Sequence, residues 1–547
     1  MKRLILLTAC VVQASALSLK AKDFEVHGLG DVLEAFDEFD GKMYAGQMPT
    51  SRNKDEWEDS KFMFWLFVPN APASSDTLTI WHNGGPGCSS FHGGLFENAP
   101  VSTAHYPAGY PKTELDVPLL ANEWAWTKAT NMLYVEMPQG VGFSYGPMPE
   151  SEFDVGADMH GFLLNFYDTF PEMKPKKLFL FGESYAGYYV PSIAHKIHQE
   201  NLLVDEEDRI NLDGIGLGNG WIEAETQGPA VIDFAWWHGL IDSTTKDSLH
   251  HVWKDCARGK KMSAPFHDFT ISDECSIMSA VLAAAGAKAF PPNTFRSPNP
   301  YDVTTFDLYP VLFGKNSSID QFYNNPAVKK ALHAPQDVVW EGCIPGAGRR
   351  RRRMKKHSKQ QLPGQTLLAH DQPKSVAPYI AELLDAGIRV LVYNGDRDLT
   401  TCAQGSEMVL DKMEWNGQDE WRTAERGLWM VNDEVAGFSK ALDGLQFVVV
   451  YNAGHLLPNS NPKQALDLIT RFVTDHQFLD IPLPSFHDKA PISSTKEPES
   501  NQHRSTPFNE PISHLLFAVA LAAGCFALGY VAATTREVRR KEYTRLS

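Results

Sequence analysis

The 547-residue sequence predicts an α/β protein, a mixed and mostly parallel sheet covered by helices on both faces. Three observations carry this. Short apolar runs alternate with helical patterns, most of the runs end in Gly, Pro or Asn, and 43% hydrophobic with 11% aromatic residues is enough for a large buried core. Phe62–Val68, Thr77–Trp81, Met132–Glu136, Lys177–Phe181, Gly214–Leu217, Arg389–Tyr393 and Gln446–Tyr451 read as strands. Asp158–Phe166, Val190–Gln199, Val376–Asp385 and Pro462–Thr474 read as the helices between them. Between Gly220 and about Gln372 the alternation fails. Residues 221–372 therefore read as a helical cap inserted into a core made of 24–220 and 373–480.

The two ends address the chain to the secretory pathway. Met1-Lys2-Arg3, the apolar run Leu4–Val12 and Ala14-Ser15-Ala16 form the three parts of a signal peptide, residues 1–16. The competing reading is a buried first helix, but nothing caps or amphipathically patterns the run. Residues 483–511 shift to Pro, Ser, Asn and charge and read as a stalk. Leu515–Ala533 follows, 19 residues without a charge. At ~1.5 Å per residue such a helix reaches about 28 Å, close to the ~30 Å hydrocarbon core. Residues 534–547 carry Arg536, Arg539, Arg540, Lys541 and Arg545, which places this tail in the cytoplasm and everything before Leu515 in the lumen. A helix buried in a soluble protein is the alternative. The only glycosylation sequon is Asn316-Ser317-Ser318.

Charge and cysteine count narrow the partners. A net charge of −17 argues against nucleic acid, whose phosphates need a basic surface. Cys10 lies in the signal and Cys525 in the expected span, leaving Cys88, Cys256, Cys275, Cys343 and Cys402. Five cysteines in an oxidising lumen suggest two disulfides and one free thiol. No CxxC pair or His-rich cluster has zinc spacing, so no metal and no cofactor is expected. Arg349 to Lys356 holds seven basic residues in RRRRRMKK. It reads either as a solvated loop or as a protease-sensitive linker whose cleavage leaves two disulfide-linked chains.

The chemistry begins at Lys177–Gly187, where a strand runs through Gly182-Glu183-Ser184-Tyr185-Ala186-Gly187 into a helix. A serine on a sharp strand-to-helix turn, with small residues crowding it, is a nucleophile elbow. Its usual G-x-S-x-G pattern is met here only as G-x-S-x-A-G. A serine hydroxyl needs a base, and the base an acid partner. Arg389–Tyr393 runs into Asn394-Gly395-Asp396-Arg397-Asp398, and Gln446–Tyr451 into Asn452-Ala453-Gly454-His455. Both put a titratable residue past a strand end, and the order Ser…Asp…His is that of the α/β-hydrolases. His82-Asn83-Gly84-Gly85-Pro86-Gly87-Cys88-Ser89-Ser90 is a second Gly-rich turn, able to aim backbone N–H groups at a developing oxyanion. A phosphate loop is the alternative, but its lysine is missing.

WHNGGPGCSS (Trp81–Ser90), GLFENAP (Gly94–Pro100), PQGVGFSY (Pro138–Tyr145), GESYAG (Gly182–Gly187), GNGW (Gly218–Trp221), NGDRD (Asn394–Asp398) and GHLLP (Gly454–Pro458) together resemble the serine carboxypeptidases, from about Phe24 to Asp480. The resemblance implies an α/β-hydrolase fold and release of C-terminal amino acids through an acyl-enzyme. It implies Ser184 as nucleophile, His455 as base and then acid, Asp398 as its orienting partner, and the N–H groups of Gly85 and Tyr185 as the oxyanion hole. The substrate's C-terminal carboxylate would be held by Asn83, Glu183 and the N–H of Gly84, with Glu97 sharing a proton with Glu183, an arrangement that favours acid. The implied disulfides are Cys88–Cys343 and Cys256–Cys275. One departure stands out: Thr401 occupies the place of the family's binding-pocket thiol, and Cys402 follows it where Asn is usual. Acyltransferases share this scaffold and triad, and a non-catalytic stabilising subunit is a third reading. The span and GNGWI (Gly218–Ile222) are similar to a Golgi branch that trims C-terminal Lys and Arg.

Overall fold

The computed structural model describes residues 19–103, 118–258, 277–289, 294–306, 317–343, 368 and 374–483. The chain divides into two compact units, Met1–Phe486 and His487–Ser547, and every described residue falls in the first.

Among the described residues eleven strands form one sheet: β1 Gly41–Pro49, β2 Lys61–Pro69, β3 Thr77–His82, β4 Asn131–Glu136, β5 Lys177–Glu183, β6 Leu212–Gly218, β7 Arg389–Gly395, β8 Arg426–Val431, β9 Glu434–Leu442, β10 Leu445–Val450 and β11 Ile481–Pro482. Their spatial order is β1-β2-β4-β3-β5-β6-β7-β10-β9-β8-β11. The middle six, β4 to β10 in that order, are parallel, and antiparallel strands extend the sheet on both sides.

Apolar residues on both sides of most strands bury the sheet, while β6 offers Ile215 and Leu217 to one side and, on the other, glycines on which Phe181 and Tyr393 pack. In β2, Phe62, Phe64 and Leu66 join one apolar layer while Met63, Trp65 and Phe67 join the other, and β5 divides Leu178 and Leu180 from Phe179 and Phe181 in the same way. Each such side chain removed from water contributes roughly 1.5–3 kcal/mol. The first layer is closed by helices Glu152–Thr169, Ala186–Asn201, Ala377–Asp385 and Ala403–Lys412, the second chiefly by Pro462–Val473. Helix Glu152–Thr169 starts where a capping box forms, Ser151 accepting from the Asp154 N–H and Asp154 from the Ser151 N–H.

All seven expected strands and all four expected helices are present, most of them a few residues longer than read. β1, β8, β9 and β11 were not anticipated. Within the expected insertion, helices Ala224–Trp237, Ser243–Arg258 and Ile277–Ala285 form their own apolar cluster, which also takes in Leu399 and Cys402. Residues 317–343, counted with the insertion by sequence, pack instead into the second sheet layer: Ile319, Tyr323, Val328, Leu332 and Trp340 lie with Phe36, Trp65 and Phe91.

Several expectations lie outside the described residues: the signal peptide, the stalk beyond Leu483, the span 515–533, the basic tail, Asn316, Cys275 of the Cys256–Cys275 pair and the Arg349–Lys356 run. Among the described residues no helix is long and apolar enough to cross a membrane.

Candidate active site

Five adjacent parallel strands, β3, β5, β6, β7 and β10, end at one edge of the sheet, and a chemically marked residue follows each. Asn83 follows β3, Ser184 follows β5, Asn219 follows β6, Asp398 lies three residues past β7 and His455 five past β10.

The turn at Ser184 is strained. Its φ is +61°, in the left-handed region that L-residues avoid, and its N–H is held at 3.1 Å from the carbonyls of both Gly218 and Asn219. Small neighbours make the turn feasible: a Cβ on Gly182 would lie 2.6 Å from the Ala186 Cβ. The Gly-rich turn after β3 lies against this elbow, since a Cβ on Gly84 would meet the Tyr185 N at 2.4 Å. That approach places Gly84, Gly85 and Ser184 in the wall of one pocket, with Asn83, Glu97, Glu183, His92 and His455.

His455 donates from Nδ1 to Asp398 Oδ2 at 2.7 Å, both side chains being fully buried or nearly so. Asp398 also accepts the N–H groups of Thr400 at Oδ1, 2.8 Å, and Thr401 at Oδ2, 3.3 Å. The His455 ring packs on Tyr301, 4.7 Å between centroids, and the His455 backbone N–H bonds the Tyr301 carbonyl at 2.8 Å. With Nδ1 engaged by the acid, Nε2 is directed to other chemistry, and it has no hydrogen-bond partner among the described residues.

Beside Ser184 the Asn83 amide donates to Glu183 Oε1 at 2.9 Å and to Glu97 Oε1 at 3.5 Å, while its Oδ1 accepts from Trp81 Nε1 at 2.8 Å. Gly93 is needed there, because a Cβ would strike Asn83 Oδ1 at 1.9 Å. Burial raises both carboxyls above the ordinary carboxylate range, and Glu183 is raised further by the charge of Glu97 beside it. Two carboxyls so placed hold protons well above the usual range and can donate to an incoming carboxylate.

Cys88 and Cys343 are disulfide-bonded at the pocket rim and line it. Cys402, the free cysteine among the described residues, is buried at the start of helix Ala403–Lys412, and burial pushes its thiol up to about 12. It does not line the pocket. Thr401 lies behind the pocket wall too, its Oγ1 at 2.7 Å from Asp398 Oδ2 and 2.7 Å from the Asn219 carbonyl. Reading the sequence assigned no role to Asn219, Thr401 or Tyr301; Asn219 lay inside a quoted motif, but its contacts are mostly to main chain and carry no sequence signal. Among the described residues no group of three or more His, Cys, Asp or Glu is placed to hold a metal ion.

An elbow serine, a buried acid and a histidine ordered along one edge of a parallel sheet define the class of α/β-hydrolase-like proteins. Residues 35–475 match the family described as serine carboxypeptidase, to which the chain belongs. It is 30% identical over 445 residues to the venom serine carboxypeptidase of Apis mellifera, covering 80% of this chain and 85% of that protein. It is 29% identical to the probable serine carboxypeptidase CPVL of Homo sapiens, covering 79% and 83%. Among solved structures, Kex1Δp of Saccharomyces cerevisiae, a prohormone-processing carboxypeptidase, matches with a TM-score of 0.69 at 25% identity, covering 83% of this chain and 96% of that one. The chain is thus a serine-type carboxypeptidase, a hydrolase of peptide and protein C-termini.

Proposed function

We propose that Ser184 attacks the carbonyl of the last peptide bond while His455 Nε2 takes its proton, Asp398 holding the imidazole in the required tautomer. The oxyanion is met by the N–H groups of Gly85 and Tyr185. His455 then returns the proton to the departing amino group, the C-terminal residue leaves, and the same base activates water to hydrolyse the acyl-enzyme. The observation that carries this reading is the Asn83–Glu183–Glu97 cluster beside Ser184, hydrogen-bonded and buried in the same pocket. A serine hydrolase of internal bonds has no use for it. A C-terminal carboxylate, held there with the Gly84 N–H, places the last peptide bond at the nucleophile.

The cluster sets the pH dependence. With both carboxyls raised, they are protonated in acid, where they donate to the substrate carboxylate. As pH rises through their raised range they ionise and repel it, so KM climbs toward neutral and alkaline pH.

The full-length chain is read as a type I membrane protein of the secretory pathway, supported by the signal-like start, the uncharged run at 515–533 and the basic tail. The full chain, expressed in a secretory host, is assayed on blocked dipeptides from pH 4 to 8 with Ser184→Ala as control. Ser184-dependent release of the C-terminal residue, with KM lowest in acid, is the expected result. Folded protein that cleaves no dipeptide, or cleaves them as well when the C-terminus is amidated, overturns the reading. Resistance to alkaline extraction from membranes tests the anchor.

A further inference from the structure

Ser184 and His455 stand on loops that follow β5 and β10, and β6 and β7 lie between those strands. Three strand spacings amount to about 14 Å. The two loops must therefore lean toward each other before a proton can pass between them, and something has to fix how far. Asn219 stands in that gap, fully buried, at the end of β6.

Its bonds reach every loop involved. The side-chain amide donates to the carbonyl of Gly454, 3.0 Å, and to that of His455. Its Oδ1 accepts the N–H of Gly395 at 2.8 Å, at the start of the turn that carries Asp398. Its own carbonyl lies 3.1 Å from the Ser184 N–H and 2.7 Å from Thr401 Oγ1, which also bonds Asp398. Its own N–H bonds the Tyr393 carbonyl at 2.8 Å. One residue thus ties the nucleophile's turn, the acid's turn and the histidine's loop together without lining the pocket.

Few side chains meet these demands. Two donors and one acceptor on a short planar group are needed, which Asp, Ser and Thr lack and Gln would overreach. The backbone adds a condition, because φ is +42°, and Asn tolerates the left-handed region better than other residues with a Cβ. We infer that Asn219 is a positioning residue of the hydrolytic reaction, fixing the His455 loop against the Ser184 turn. This rests on the assignment of Ser184 and His455 made above.

Asn219→Asp keeps the shape and removes both donors, turning a carboxylate toward two carbonyl oxygens. Asn219→Ala removes the group. For each full-length variant, kcat and KM on a blocked dipeptide, the rate of phosphonylation of Ser184 by a phosphonofluoridate, and the melting temperature are measured. A displacement of the base should lower kcat and the phosphonylation rate together, each by roughly 100-fold. KM should stay within about twofold, because the Asn83, Glu97 and Glu183 cluster is untouched. Folded variants that keep kcat within a few-fold of wild type overturn the inference, as do variants whose KM rises while phosphonylation is unchanged. Failure of both variants to fold makes the role structural and also overturns it. Failure of the underlying assignment has a separate signature: wild-type protein neither cleaves dipeptides nor is phosphonylated at Ser184.

Discussion

Replacing Asp398 by Asn tests the electrostatics of the site with almost no change in shape. The wild-type carboxylate accepts from the Thr400 N–H at Oδ1, 2.8 Å, and from His455 Nδ1 at Oδ2, 2.7 Å. The N–H of Thr401 approaches Oδ2 more loosely, at 3.3 Å. An amide has one acceptor to divide among these donors, and the shorter backbone bond claims it. The new NH2 then occupies the Oδ2 position and faces Nδ1, while Thr401 Oγ1 can turn its lone pair to accept from it. Nδ1 must become an acceptor, the imidazole proton moves to Nε2, and the base has nowhere to put the proton of Ser184. Loss of the working tautomer costs on the order of 10⁴-fold in kcat, about 5 kcal/mol of transition-state stabilisation. At acid pH KM should hardly move, since burial keeps Glu97 and Glu183 raised even without the smaller push that the Asp398 charge gives Glu183. The assay is steady-state hydrolysis of a blocked dipeptide at acid pH, with melting temperature as a control for folding. A folded Asp398→Asn protein within tenfold of wild-type kcat would refute the tautomer argument.

Two further outcomes are expected. Glu136 is fully buried under the Gly-rich turn, accepting from Ser89 Oγ, Trp340 Nε1 and the Phe143 N–H, and burial raises it from the ordinary 4.5 to about 7. The folded state then holds the extra proton between those values, so this stability is complete below about pH 4.5 and is lost as pH rises through about 7, a change of about 3 kcal/mol. Urea unfolding of wild type and Glu136→Gln at pH 5 and pH 8 should show their stability difference shifting by about that much in favour of the variant; a difference that does not move with pH excludes the effect. Cys402, buried with its thiol raised to about 12, should resist iodoacetamide at pH 8 in folded protein and react once the chain is unfolded. Rapid stoichiometric labelling of the native protein would contradict that placement.

The central sheet was legible because its strands are buried on both faces and therefore read as largely apolar runs, even where Thr77 and Thr79 interrupt β3 and glycines interrupt β6. The outer strands obey a weaker grammar. β1 begins Gly-Lys and is partly exposed, and β9 carries Glu434, Gly437 and Lys440 among its apolar residues. Their turns did carry a signal. Asn432-Asp433 joins β8 to β9 and Asp443-Gly444 joins β9 to β10, all four at positive φ, which is the residue pattern of tight hairpins. For the site, Ser184, Asp398 and His455 could be picked out because the proposed chemistry requires those side chains after strand ends in that order. Asn219 could not, since its part is mostly to satisfy backbone groups whose meeting depends on three strands lying side by side. Thr401 was noticed as a departure from the family's thiol, but its contact with Asp398 appears only in the structure.

The left-handed turn at Ser184 carries an evolutionary corollary. A non-glycine residue at φ +61° costs roughly 1–2 kcal/mol, and the fold bears that cost at the proposed nucleophile. Glycine at 184 would relieve it, so inactivation and stabilisation would arrive in a single substitution. Only continued selection for hydrolysis opposes that trade. In a lineage where catalysis ceased to matter, position 184 should therefore be among the first to drift, with β5 and the helix behind it unchanged.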